Sequence, residues 1–177
     1  IHLRQGKEYS VTIESNQDIY GKIKTNVNNR EWIITFNDPL PVWLITLPKL
    51  DIYVTFPEIN ICRLAGVGKI TSEGSLKLRI IHLINLGVGG MHLKLDSGKV
   101  ITTLKGVGEI ELSGKTDFLS VEISGTGKIN AYGLESKNVM VKSKGVGECI
   151  IYATESLDIN SGGIGKVKYK GKPKVTS

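Results

Sequence analysis

The sequence predicts an all-β protein: a single-stranded, right-handed parallel β-helix (β-solenoid) of ~19–20-residue coils with Gly-x-Gly corners. Three observations point there. Glycine makes up 21 of 177 residues, about 12% against a usual ~7%, while only five residues are proline. That surplus is neither collagen-like nor that of a Pro-rich linker. Next, Gly-x-Gly recurs six times at nearly constant spacing, beginning at Gly66, Gly87, Gly106, Gly125, Gly145 and Gly163. The residue between the glycines is β-branched every time: Val67, Val88, Val107, Thr126, Val146 and Ile164. Finally, the segments between the glycines alternate apolar and polar residues with period two and contain no amphipathic helix. Short strands in so small a unit cannot bury their own apolar faces, so the units must stack, about 4.8 Å apart. A right-handed coil follows from the crossover rule.

The first third of the chain is strand-rich but lacks Gly-x-Gly. Tyr9–Ser15, Gly21–Val27, Glu31–Phe36 and Ile52–Phe56 all alternate, and Asn28–Asn29 reads as a hairpin turn. Between Asn37 and Leu50 the residues Pro39, Pro41 and Pro48 break regularity, giving a loop that carries Trp43. Residues 1–60 are expected to form irregular coils or a cap over the open sheet edge that ends any solenoid, residues 61–172 six regular coils, and residues 1–177 one solenoid domain.

Within the coils, alignment on the first glycine gives columns. Four positions after it stand Ile70, Met91, Ile110, Ile129, Cys149 and Val167; six before it stand Ile81, Val100, Leu119, Val139 and Leu157, with Asn60 dissenting in the first repeat. Both columns should face inward. Three positions after the glycine the column reads Lys69, Gly90, Glu109, Lys128, Glu148 and Lys166, and should face solvent. The glycines themselves read as a repeated corner that needs φ > 0 or close approach of neighbouring coils. A second small-residue column, Gly74, Gly114, Gly133, Ala153 and Gly171, suggests another corner.

Net charge +6 permits association with polyanions but does not specify one. No stretch approaches the ~18 apolar residues of a membrane helix; Val42 to Val54 is interrupted by Pro48, Lys49 and Asp51. The chain opens at Ile1 without an initiator Met, already in a strand-like alternation, which points to a preceding segment where any targeting signal would have stood. Cys62 and Cys149 fit neither a disulfide scaffold nor a zinc site. Four coils of stacking, roughly 19 Å, separate them, beyond the ~7 Å of disulfide geometry.

The run from GVGKI at Gly66 through GVGEIELSG at Gly106, GTGKINAYG at Gly125 and GVGECI at Gly145 to GIGKVKYKG at Gly163 resembles the bacterial "putative auto-transporter adhesin, head GIN domain" family. The opening LRQGKEYSVTIES and the later DIYVTFPEIN resemble its N-terminal pattern, so the likeness covers nearly the whole chain. The resemblance implies a parallel β-helix that is exported, often lipid-anchored through a segment upstream, and active in adhesion at the periplasm, outer membrane or cell surface. Its expected partners are polysaccharide or host and cell-surface ligands. The family offers no catalytic motif to carry over, although some relatives bear pectinase-like labels.

The same columns bear on catalysis. A polysaccharide lyase or hydrolase on this fold would need carboxylates about 5–9.5 Å apart. In the column three after the glycine, Glu109, Lys128, Glu148 and Lys166 set acid beside base, which reads as surface ion pairing. Glu109 and Glu111 form the one close carboxylate pair of the regular coils, and Lys128 beside Glu109 makes it a solvated surface. None of the six Gly-x-Gly motifs continues as a dinucleotide loop, and Val167 stands where a calcium roll would require Asp. His82 and His92 flank Gly87 on opposite sides and His2 is remote, so they read as polar surface. No cofactor and no metal is expected. Lys166, Lys168, Lys170, Lys172 and Lys174 alternate in the last coil. They read as gatekeepers that stop one solenoid end pairing with another, or as an anion-binding strip centred on Lys166, Lys168 and Lys170; the two roles can coexist. Nucleic acid is not expected, because Tyr169 is the single aromatic residue interleaved with them.

Overall fold

The computed structural model describes residues 1–15, 21–36 and 50–176. It shows stacked parallel strands forming a β-solenoid of about six turns, with no helix among the described residues. Five long strands make the body: β7 (Val67–Asn85), β8 (Val88–Leu104), β9 (Val107–Ile123), β10 (Thr126–Ser143) and β11 (Val146–Ser161). Each pairs in parallel with the next, and β12 (Ile164–Lys170) and β13 (Lys174–Thr176) both pair with β11 to form the last coil. Strand structure lapses between coils only around the first glycine, then resumes at the β-branched residue.

The register is that of the aligned glycines. Val67 lies beside Val88, Val88 beside Val107, Val107 beside Thr126, Thr126 beside Val146 and Val146 beside Ile164. The two apolar columns stack as expected: Ile70, Met91, Ile110, Ile129 and Cys149 are at most 3% exposed, and Ile81, Val100, Leu119, Val139 and Leu157 at most 2%. Burying each such aliphatic side chain is worth roughly 1.5–3 kcal/mol, and the stack repeats that gain on every coil.

Backbone chemistry explains the glycines. The carbonyl of Leu104 accepts from the N–H groups of both Ser124 and Gly125 in the next coil, each at 2.9 Å, while Thr126 N–H donates to Gly106 O at 3.0 Å. The same doubly accepting carbonyl recurs at Leu64, Asn85, Ile123 and Ser143. Two donors converging on one carbonyl draw consecutive corners together. A Cβ on Gly125 or Gly127 would stand well under 3.0 Å from the backbone of the coil before it. Gly127 also holds φ 148°, a conformation that L side chains rarely adopt. Both glycines are therefore needed, the first for close approach and the second for close approach and backbone conformation together.

The opposite bend corrects the sequence reading. Gly74, Gly114 and Gly171 do take left-handed φ values of 79°, 108° and 101°, but Gly133 does not. Nor do the five small residues stack as one column: Gly114 lies between Leu95 and Leu134, while Gly133 sits beside Ser113 and Ala153 beside Ser136. Differences in coil length are absorbed here. Thr71 pairs with His92 and Ser75 with Lys94, so four steps along β7 match only two along β8.

At the other end, β1 (His2–Gln5) pairs in parallel with both β7 and β5 (Asp51–Phe56), and β2 (Ser10–Glu14) lies antiparallel on the outer edge of β5. Leu3, Ile52 and Phe56 are buried there, so the parallel stack continues below the first regular coil, and among the described residues the antiparallel β2 is its outermost strand. The strand β6 (Ile61–Leu64) pairs with β7 at His82–Asn85. A separate antiparallel hairpin joins β3 (Ile23–Asn28) to β4 (Glu31–Phe36). Its turn residues are Asn29 and Arg30, φ 48° and 65°, one position beyond the expected Asn28–Asn29. Two left-handed residues form the turn whose twist matches that of the flanking strands, and this decides the register. The proline-containing loop with Trp43 lies outside the described residues.

Candidate functional site

The three lysines singled out from the sequence lie on β12, whose partner among the described residues is β11 alone. Alternation along the strand turns Lys166, Lys168 and Lys170 outward while Val167 packs on the core cluster. The row does not extend to five: β12 stops at Lys170, Gly171 turns the chain with φ 101°, and Lys174 begins β13 beside Ser156.

Parallel register sets these lysines against particular neighbours. Lys166 stacks on Glu148, Lys168 on Ile150 and Lys170 on Tyr152. Lys168 Nζ lies 2.6 Å from Glu148 Oε1, and Lys128 Nζ reaches the same carboxylate at 3.9 Å. The hydrogen bond from Lys168 holds the Glu148 carboxyl below the usual carboxylate range, aided by the positive charges of Lys168, Lys128 and Lys166. Lys170 is held differently. Its ammonium lies 3.8 Å from the ring centroid of Tyr132 and 4.2 Å from that of Tyr152.

Sequence reasoning missed these two tyrosines. The signal was present, since the column seven positions after the first glycine reads Glu73, Lys94, Ser113, Tyr132, Tyr152 and Lys170. Only stacking makes residues 132, 152 and 170 neighbours.

The remaining candidates are placed apart. His92 Nδ1 lies 3.3 Å from Glu111 Oε2, His82 Nε2 lies 3.3 Å from Thr103 Oγ1, and His2 Nε2 lies 2.9 Å from Asp51 Oδ1. Among the described residues no three His, Cys, Asp or Glu side chains cluster as metal ligands. Glu109 stacks between Gly90 and Lys128. Both cysteines are free; burial pushes each thiol up to about 12. Around the opposite bend, Lys115 pairs with Asp96 at 3.6 Å and Lys137 with Asp117 at 2.7 Å, so that surface is largely self-neutralised.

One outward column is aliphatic at every position but Thr126. The β-branched residues between the glycines project at the corner apex: Val67 is 85% exposed, Val88 and Val107 52%, Val146 48% and Ile164 79%. Leu86, 45% exposed, adds to the same edge. Exposed aliphatic side chains grouped along one edge mark interaction sites more often than isolated apolar residues do.

Residues 1–173 match the model of the family described as "Putative auto-transporter adhesin, head GIN domain". Among solved structures, a "putative adhesin" from Bacteroides fragilis is 26% identical, with TM-score 0.90, over 98% of this chain and 80% of that one. Two structures from Parabacteroides distasonis are 18% identical and share the fold. One, a "putative lipid binding protein", has TM-score 0.68 over 99% of this chain and 82% of that one. The other, a "putative adhesin", has TM-score 0.72 over 99% and 83%. No curated protein matches.

Proposed function

This chain belongs to the family described as "Putative auto-transporter adhesin, head GIN domain", and from that premise we propose that it is a non-catalytic binding module of the bacterial envelope, stationed outside the cytoplasm. Its rigid stack of coils displays outward columns to a surface ligand, polysaccharide or host-derived. The observation that carries this reading is the outward β-branched column from Val67 to Ile164, aliphatic on every coil except at Thr126 and held exposed beside columns of charge. A solenoid core gains nothing from apolar side chains at an outer apex, whereas a contact surface does. The lysines of β12 form a second, cationic part of that display.

The test is binding with turnover measured alongside. Purified protein applied to immobilised bacterial and host polysaccharides should be retained saturably, and the polymer should keep its chain length after prolonged incubation. Release of sugar ends, abolished by Glu109→Gln or Glu111→Gln, would overturn the non-catalytic reading. Absence of retention on every surface would overturn the binding reading.

A further inference from the structure

We propose that the outer face of the last three coils binds an acidic oligosaccharide, with acidic groups on Lys170 and Lys166 and a sugar ring against Tyr132. The inference rests on the surface-binding reading above and names the ligand class for one part of that surface.

Three lysines that the sequence pattern makes equivalent stand in unequal surroundings. Lys168 is committed to Glu148 at 2.6 Å, which supplies its counter-charge. Lys170 is positioned instead by two neutral rings, at 3.8 and 4.2 Å from its ammonium. A cation–π contact orients an ammonium without supplying a counter-charge, so Lys170 is both ordered and still able to attract an anion. Lys166 is exposed, and no carboxylate among the described residues lies within ion-pair distance of its ammonium. Ordering matters because a free surface lysine loses rotamer entropy on binding, of order 0.5–1.5 kcal/mol, and Lys170 has already lost much of it.

Spacing and the tyrosines decide the class of anion. Lys166 and Lys170 are four positions apart on one strand, roughly 13 Å between Cα atoms at about 3.3 Å per residue. A chain with repeated acidic groups can meet each lysine where it stands, with Lys170 held over its two rings, whereas one carboxylate or phosphate would have to draw the two side chains together along the strand. Tyr132 is 53% exposed, and its neighbour Tyr152 is half-buried. An amphipathic phenol, apolar ring with polar tip, suits the mixed surface of a sugar. A bare polyanion would use the lysines and ignore Tyr132. Glu148 restrains the site, because it withholds Lys168 and places a negative charge beside Lys166.

The experiment uses the whole chain on three immobilised probes: polygalacturonate as acidic polysaccharide, dextran as neutral polysaccharide and polyphosphate as an anion without sugar. Wild type is expected to bind polygalacturonate in a salt-sensitive manner and dextran at least tenfold more weakly. Lys170→Gln should weaken polygalacturonate binding about tenfold. Tyr132→Ala should weaken polygalacturonate at least fivefold more than polyphosphate. Glu148→Gln should strengthen polygalacturonate binding severalfold, an outcome that misfolding cannot produce, and far-UV circular dichroism checks that the other variants are folded. If Tyr132→Ala weakens both polyanions equally, or Lys170→Gln and Glu148→Gln change nothing, the proposed site is overturned while the surface-binding reading stands. If wild type binds none of the three probes but is retained on other polysaccharides, the ligand class is wrong; retention on no surface removes the underlying reading as well.

Discussion

Each coil turns at two places, and the two are built in opposite ways. At the Gly-x-Gly corner, backbone meets backbone: Gly125 and Gly127 approach the coil before them too closely for any Cβ, and one carbonyl gathers two N–H donors. The residue pairing there never slips, from Val67 beside Val88 to Val146 beside Ile164. At the opposite bend, side chains of different size face one another, such as Leu95, Gly114 and Leu134, and the pairing can slip. Between β10 and β11, for example, Ala131 pairs with Ile151 and Glu135 with Tyr152, so four steps along one strand match a single step along its partner. A solenoid thus needs only one invariant corner to keep its columns in register. The other bend can absorb insertions, and the outward residues near it are free to vary, which is where Tyr132 and Tyr152 appear.

The sharpest way to break this contrast is Gly127→Val. A β-branched side chain would oppose both the φ of 148° and the Gly108 carbonyl, and the cost should be about 3–5 kcal/mol, adding backbone strain and overpacking. Urea unfolding would measure it, and a loss below about 1 kcal/mol would contradict the corner geometry. A somewhat smaller effect separates two insertions. One extra serine after Gly125 should destabilise by several kcal/mol, since it shifts the inward column, while one after Asn130 should cost about 1 kcal/mol or less, because a register shift is already accommodated there. Equal costs would remove the distinction between the bends. The smallest effect is expected at Gly68→Ala. This residue occupies the same corner position as Gly127, but among the described residues no atom beyond its chain neighbours lies within 4 Å of its would-be Cβ, and its φ is not left-handed. A thermal midpoint within about 2 °C of wild type is expected for so small a change; a large drop would show that the corner demands glycine for a reason other than stacking.

Much of this was legible from residue order. The period, the two inward columns and the role of glycine follow from positions such as Ile110, Leu119 and Gly108, because every coil repeats the same requirement and repetition exposes it. The hairpin was legible to within one position; the turn at Asn29 and Arg30 rather than Asn28 and Asn29 depends on strand twist, which composition does not encode. Lys166, Lys168 and Lys170 were legible as a row but not as three different environments. Their differences come from residues one and two coils earlier, namely Glu148, Tyr152 and Tyr132.

By itself, then, the sequence determined the architecture: a short unit, alternating strands and a glycine pair repeated at nearly constant spacing admit few packings that bury the apolar columns. Tertiary structure alone decided which glycine serves conformation and which serves contact, where coil-length differences are taken up, and which lysine is paired with a carboxylate. The physical reason is distance. Periodicity is a property of neighbours along the chain, whereas an ion pair at 2.6 Å or an ammonium 3.8 Å above a ring exists only after separate coils have been stacked.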